Sequence, residues 1–338
     1  MKGNQVTIKD IAKQLGVSPS TVSRALQGHP DISDETKRQV NELASRLKYQ
    51  PNAVALSLKH KRTRIIGVII PEIVHFFFSS VISGIEDVAY DAGFNVIICQ
   101  SNEKYDRELS NLNTLLAQRV DGILVSVSKE TIDYQHLQRV VAQNIPLVFF
   151  DRVAPGVQAS SVIIDDHYSA YQATRHLTES GRKRIAHFAG PQNLSISLNR
   201  KEGYLKALQD SNIDPDPSLV VEADNFEKAR MAVLNFLQTG NLPDGIFAVN
   251  DITAIGAMKT LQKQGIRVPE DVAVVGFSDG RFSAITDPPL SSVDQHGYEM
   301  GIIATEMLLK QILEDVGNNS IETRVLRGDL IIRGSSKI

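Results

Sequence analysis

Apolar residues near the start of the chain recur at helical spacing. Ile8, Ile11, Ala12 and Leu15 make one face of a short amphipathic helix, and Thr7 with Asp10 three places on gives a capping-box-like start. Gly16 and Val17 break that helix. Ser18 can cap the next one, and Pro19 fits its first position, where a missing N–H costs nothing. Val22, Ala25 and Leu26 then form a second apolar face, which leaves Ser20, Ser23, Arg24 and Gln27 outward. Two helices joined by a tight glycine-containing turn, the second with a polar outer face, read as a helix-turn-helix that lays this face into a DNA major groove. The competing reading is a plain helical hairpin inside a larger core. A third helix opens with Ser33 as N-cap and Asp34 and Glu35 in its first turn; Val40, Leu43, Ala44 and Leu47 line one face until Tyr49 and Pro51 end it. Three such helices can share a core. In the following PNAVALSLKHKRTR, Ala53, Val54, Leu56 and Leu58 offer too few residues for an independently stable helix. This segment predicts a linker that becomes helical only when held; an ordinary charged linker fits its composition equally.

From Ile65 the pattern changes. Short apolar runs (IIGVII, FNVIIC, DGILVSV, IPLVFF) alternate with helical periodicity over about Phe78 to Ala92, Asp106 to Gln118 and Ile132 to Gln143. Continuous apolar strands between amphipathic helices predict a parallel sheet covered on both faces. A second series begins at SVIID. It runs through RIAHFAG, LVVEA, GIFAV and VAVVGF, with helices near His167 to Ser180, Arg200 to Ser211, Glu227 to Gln238 and Ile252 to Gln264. LSSVDQ and a helix near Tyr298 to Leu313 are expected to cross back and finish the body. The fold class is therefore an N-terminal all-α helix-turn-helix head plus an α/β body of two doubly wound lobes. The expected divisions are residues 1–50 for the head, 51–64 for hinge and linker, and 65–338 for effector binding and dimerisation. Facing lobes make a ligand cleft at the C-terminal ends of their strands.

Charge separates head from body. Residues 1–64 hold 12 Lys or Arg against 5 acids, a head of +7 in a chain whose total is −3, which leaves −10 for the rest. A basic head on an acidic body is the footprint expected when only the head meets phosphate. The start, MKGNQVTIKDIAKQ, lacks the apolar stretch of a secretory signal, and no run approaches a membrane span. The single cysteine, Cys99, cannot form an intrachain disulfide and sits in an apolar run, as a buried small residue would. A cytoplasmic location is expected, with no membrane partner. No metal-ligand spacing, phosphate-cradling glycine loop or serine elbow is present, so neither a metal nor a cofactor is expected.

TIKDIAKQLGVSPSTVSRAL, followed by YQPNAVALSL and the strand-like IIGVIIP, resembles the lactose-repressor/galactose-repressor family of bacterial transcription regulators, and the similarity spans essentially the whole chain. The resemblance implies that Pro19, Ser20 and Arg24 occupy base-reading positions, with Thr7, Ser18, Thr21 and Ser23 as further DNA contacts. It implies a hinge helix over about Pro51 to Lys59 that adds Asn52, Ala55 and Leu58, the last inserting into the minor groove at the centre of a palindromic operator. It implies a body with the fold of type I periplasmic sugar-binding proteins. Arg24 can pair bidentately with guanine, whereas the Pro19 ring neither donates nor accepts and must read by shape or methyl contact.

The effector side is read from strand ends. Asp151 follows PLVFF, Asn250 and Asp251 follow GIFAV, and Ser278 and Asp279 follow VVGF. Arg200 adds a planar donor fork, and an acceptor–donor mix of this kind suits sugar hydroxyls. By the resemblance, Asp151, Arg200, Asn250, Ser278 and the Phe77/Phe78 pair correspond to effector-contacting positions, with Ser126 a weaker candidate. The alternative is that Asp and Asn at strand ends cap helices or turns. Ser278 stands where the family commonly has an aspartate, which loosens or moves one contact to a sugar diol. The chain after Arg327, GDLIIRGSSKI, holds no heptad-bearing helix, so a homodimer is expected rather than a tetramer. The reading is a non-enzymatic, effector-controlled regulator, most simply a repressor, on double-stranded operator DNA. A transporter's solute-binding protein and an enzyme using Asp151 and Asp251 as an acid/base pair are the rivals.

Overall fold

The computed structural model describes residues 6–49, 62–314 and 320–337; the expected hinge residues Asn52, Ala55 and Leu58 lie outside the described residues. The chain divides into two compact units, Met1–Thr63 and Arg64–Ile338.

In the first unit, α1 is Ile8–Leu15, α2 Pro19–Leu26 and α3 Asp34–Arg46. Asp10 Oδ2 accepts from the Thr7 backbone N–H at 2.8 Å and from the Thr7 hydroxyl at 2.7 Å, tying down the start of α1. Gly16 ends it at φ 65°, a left-handed turn that costs glycine nothing. The Ser18 hydroxyl accepts from Thr21 N–H at 3.0 Å at the start of α2, and Ser33 from Thr36 N–H at 3.3 Å at the start of α3. Such caps contribute about 1 kcal/mol each. Ile11, Ala12, Val22, Ala25, Val40, Leu43 and Ala44 are buried together as one small core.

The second unit holds two six-stranded sheets. The first contains β1 (Ile65–Ile70), β2 (Asn95–Gln100), β3 (Gly122–Val125), β4 (Leu147–Phe150), β5 (Ser160–Ile164) and β11 (Thr323–Leu326), in the order β11-β5-β4-β3-β1-β2. The second contains β6 (Ile185–Ala189), β7 (Val220–Glu222), β8 (Gly245–Ala248), β9 (Ala273–Ser278), β10 (Ser291–Asp294) and β12 (Asp329–Ile331), in the order β12-β10-β9-β8-β6-β7. All described pairings are parallel except β10 with β12.

Among the described residues eight α-helices cover these sheets: α4 (Phe76–Asp91), α5 (Tyr105–Ala117), α6 (Gln135–Ala142), α7 (Asp166–Glu179), α8 (Ser195–Asp210), α9 (Phe226–Gln238), α10 (Asp251–Lys263) and α11 (Gly297–Leu313). Each sheet is sandwiched between two apolar layers, Ile66, Val68 and Ile70 facing one core of the first lobe and Ile69, Ile123 and Val125 the other.

Three expectations change. SVIID was expected to open the second sheet, but β5 pairs with β4 and β11 in the first. One of these partners, β11, lies some 160 residues away, beyond what local periodicity can report. LSSVDQ does not cross back, since β10 stays in the second sheet; α11 alone returns, packed on α4 and on β3, β4 and β5. Its contact with α4 depends on glycine: a Cβ on Gly84 would lie 2.2 Å from the Tyr298 carbonyl oxygen, and one on Gly301 2.1 Å from that of Val81. Cys99 is half-buried rather than buried, because β2 is an edge strand with one side uncovered.

Among the described residues the chain passes between lobes three times, after β5, between β10 and α11, and between β11 and β12. The passages are neighbours. Asp165 N–H donates to the Leu326 carbonyl at 2.8 Å, and His296 Nε2 lies 3.0 Å from Asp329 Oδ2. No described helix is long and apolar enough to cross a membrane.

Candidate functional site

On α2 the apolar side is consumed by the small core, so the opposite side is what the head can present. Thr7, Ser18, Pro19, Ser20 and Arg24 are exposed, while Thr21 and Ser23 are half-buried. Ser18 Oγ lies 2.7 Å from Ser20 Oγ and 2.8 Å from Thr21 Oγ1, so these hydroxyls are pre-arranged around the helix start. The Arg24 guanidinium has no hydrogen-bond or ion-pair partner among the described residues and stands free for an external acceptor.

In the body, the C-terminal ends of the strands in both sheets open onto one cavity of about 280 Å³. Phe77, Phe78, Asp151, Arg200, Asn250 and Ser278 all line it; Ser126 does not. Ser126 is fully buried behind Asp151, its Oγ 3.4 Å from Asp151 Oδ2.

Asp151 is the first residue after β4 and adopts a left-handed φ of 60°, a costly conformation for a residue with a side chain. Its carboxylate is 5% exposed, and its nearest cationic group, Arg152 Nε, is 3.7 Å away. Burial pushes its pKa up, while Arg152 and Arg200 pull the other way. The carboxylate is thus buried with acceptor capacity left over, and Arg152 Nε is a buried donor without a hydrogen-bond partner among the described residues. A ligand hydroxyl can satisfy both by accepting from one and donating to the other.

Arg200, on α8, gives its Nε to Asp166 Oδ1 at 2.7 Å and Nη1 to the Val249 carbonyl at 2.7 Å, with its guanidinium carbon 3.8 Å from the Phe277 ring centre. This fixes the fork and leaves Nη2 as its available donor. Phe77 and Phe78 meet edge to face, ring centres 5.2 Å apart, and give the cavity an apolar wall.

Asn250 is largely committed: its Oδ1 caps α10 by accepting from Thr253 N–H at 2.9 Å, and its Nδ2 donates to the Asp224 carbonyl at 3.0 Å. Ser278 donates its hydroxyl to Gln295 Oε1 at 2.7 Å. Asp251 is structural, accepting from Gly280 N–H, Ser283 and Ser292 and so pinning the loop after β9. Asp279 is held by Arg333 at 3.0 Å. The capping alternative therefore describes Asn250, while the two acids are spent on a loop and on an ion pair.

Four wall residues were not selected from the sequence, Glu103, Lys129, Arg152 and Gln295, although Arg152 and Gln295 stand at the ends of β4 and β10, where the strand-end rule could have found them. Glu103 and Lys129 sit in polar loops that look solvated, though each follows a strand of the same sheet as Asp151. Arg152 Nη1 donates to Glu103 Oε2 at 2.8 Å, and Lys129 Nζ lies 2.8 Å from Asp224 Oδ2 on the other lobe. Asn193 Nδ2 also crosses, donating to the Lys129 carbonyl at 2.6 Å. Burial raises the Glu103 pKa, but Arg152 and Lys129 outweigh it and hold the carboxyl low. Among the described residues no group of three or more His, Cys, Asp or Glu can hold a metal ion.

Comparison with known proteins matches both parts. A family model described as "Bacterial regulatory proteins, lacI family" fits residues 7–52, and one described as "Periplasmic binding proteins and sugar binding domain of LacI family" fits residues 63–330. Catabolite control protein A of Priestia megaterium is 35% identical over 318 residues, 94% of this chain and 95% of that protein. The crystal structure of the lac repressor dimer bound to operator and the anti-inducer ONPF superposes with a TM-score of 0.87 at 27% identity, covering 98% of this chain and 99% of the other. A complex of the transcriptional regulator CelR with cellobiose does so with a TM-score of 0.74 at 29% identity, covering 98% and 99%.

Proposed function

Because this chain belongs to the LacI family of bacterial regulatory proteins, we propose that Pro19, Ser20 and Arg24 read operator bases and that the cleft around Asp151 and Arg200 binds the effector. The protein is a sequence-specific DNA-binding repressor, not an enzyme, and acts as a dimer on a palindromic operator under control of a small molecule, a carbohydrate or derivative. One observation carries this reading: a single chain joins an exposed, capped reading helix to a cavity walled by a buried, under-satisfied carboxylate and a fixed arginine fork. Its place of action is the cytoplasm, where operator DNA is.

Thr7, Ser18, Thr21 and Ser23 contact the DNA backbone around the reading residues. In a dimer two such heads address two half-sites, and residues 51–64 form the hinge, with Asn52, Ala55 and Leu58 meeting the minor groove between them. In the cleft, Phe77 and Phe78 cover an apolar sugar face, and Asn250 and Ser278 border its hydroxyls. Ser126 acts on the effector through Asp151. Effector binding changes the relative setting of the lobes and thereby the spacing of the hinge starts; a coupling of about 1–3 kcal/mol suffices for control.

Arg24→Ala is expected to weaken binding to an operator selected from random duplexes by about 1–3 kcal/mol and to relax preference at one base pair, measured by fluorescence anisotropy. An equal loss on random DNA would reassign Arg24 to phosphate contact. Leu58→Ala is expected to lower operator affinity while leaving effector binding intact; unchanged operator affinity would remove the wedge. A thermal-shift screen of monosaccharides, disaccharides, sugar phosphates and nucleosides tests the cleft, since a ligand selective for the native state raises the melting temperature.

A further inference from the structure

Three cations line the cavity, and each already has a carboxylate. Arg200 is paired with Asp166 at 2.7 Å, Lys129 with Asp224 at 2.8 Å, and Arg152 with Glu103 at 2.8 Å. Glu103 serves two of them, since its Oε1 also lies 3.8 Å from Lys129 Nζ, and its Oε2 accepts from the Lys129 backbone N–H at 2.8 Å. Two further wall acids, Asp151 and Asp251, have no cation of their own at hydrogen-bond distance; Asp251 is satisfied by neutral donors alone. The walls therefore offer donors and acceptors to a polar guest but no uncompensated positive charge.

From this arrangement we infer that Glu103 is a specificity determinant that makes the cleft select uncharged effectors and refuse their phosphorylated or carboxylate forms. The inference rests on the cleft being the effector site. An arginine fork opening onto a half-closed cavity is ordinarily a phosphate receptor. Glu103 engages one nitrogen of that fork, Nη1, with both its oxygens, at 3.1 and 2.8 Å, and the same carboxylate lies 3.8 Å from Lys129 Nζ. An anionic guest at Arg152 would have to lie beside the largely buried carboxylates of Glu103 and Asp151, so discrimination comes from an unfavourable contact built against the wrong ligand. A neutral hydroxyl meets no such opposition at Arg152 Nε and Asp151.

Inorganic phosphate titrated into the full-length protein at constant ionic strength, followed calorimetrically, tests this without knowledge of the natural effector. Wild type is expected to show no saturable uptake. Glu103→Gln, which keeps an acceptor for Lys129 N–H, is expected to gain saturable binding, at least about tenfold tighter than the wild-type detection limit, and adding Arg152→Gln is expected to abolish the gain. Asp224→Asn, which frees Lys129 from its nearer partner, gives a second route should Glu103→Gln fold poorly. Wild type taking up phosphate in a manner lost with Arg152→Gln, or both Glu103→Gln and Asp224→Asn remaining inert, would overturn the inference. Parallel titration with glucose and glucose 6-phosphate separates the two levels. Equal binding of both to wild type would end the charge selection and leave the effector site standing. A phosphate gain in Glu103→Gln, with no shift by any neutral sugar in either form, would uphold the charge selection and remove the carbohydrate reading.

Discussion

Replacing Arg200 by methionine is expected to lower the unfolding free energy of the body by about 3–5 kcal/mol and to abolish the effector response. The side chain is 4% exposed and holds Asp166, the Val249 carbonyl and the face of Phe277 at once. Burial already pushes the Asp166 carboxyl up to about 6 with Arg200 beside it. Without Arg200 it becomes a buried acid with no counter-charge. Stability and recognition can be separated, because exchanging both members of a buried pair for apolar residues of similar volume is often near neutral. The double variant Arg200→Met with Asp166→Leu is therefore expected to recover most of the loss in urea unfolding while still failing to respond to effector. Recovery of the response along with stability would show that Arg200 is only a strut.

A second large effect concerns acid. His187 lies between the rings of Phe247 and Tyr204, at 4.8 and 5.3 Å between centres, and is fully buried. Its Nδ1 pairs with the Phe247 carbonyl at 3.1 Å, while Nε2 has no hydrogen-bond partner among the described residues. Burial holds its pKa down at about 4, against 6.5 when free. The native protein thus refuses a proton that the unfolded chain accepts between those values. The stability this group contributes is complete above pH 6.5 and is lost as pH falls toward 4, a change of about 3 kcal/mol. Asp166 works in the opposite direction, since its raised pKa favours the native state below pH 3.8 and that contribution fades as pH rises through about 6. Total stability therefore mixes the two. Comparing wild type with His187→Phe at pH 7 and pH 4 isolates the histidine: the variant is expected to gain on wild type by about 3 kcal/mol at the lower pH. Parallel profiles would show that His187 does not titrate this way.

The head was legible because its signals are local. Thr7 with Asp10, Ser18 with Pro19, and Ser33 each act within one turn, and they mark the starts of α1, α2 and α3. The strands were legible as apolar runs, but their partners were not. Nothing within SVIID distinguishes a strand that joins β4 and β11 from one that opens a new sheet. β11 and β12 were missed as strands because they are short edge elements whose residues are mostly exposed. In the cleft, the strand-end rule selects Asp151, Asn250 and Ser278, and the Phe77/Phe78 pair lies on the same wall. It does not tell an acceptor left open, such as Asp151, from one spent on a loop, such as Asp251, because that depends on serines up to 41 residues away. The ion pairs of Glu103 and Lys129 depend on the meeting of separate loops, and in the case of Asp224 on the meeting of two lobes.

The three neighbouring passages between the lobes limit how a ligand can move them. A single tether would act as a swivel, free in every direction, whereas three side by side act as the knuckles of a door hinge, easy to bend about one line and stiff against shear and twist. Opening or closing of the cleft therefore has essentially one degree of freedom, set before any ligand arrives. Ligands of different shape must push along the same track, and they differ in how far they travel along it.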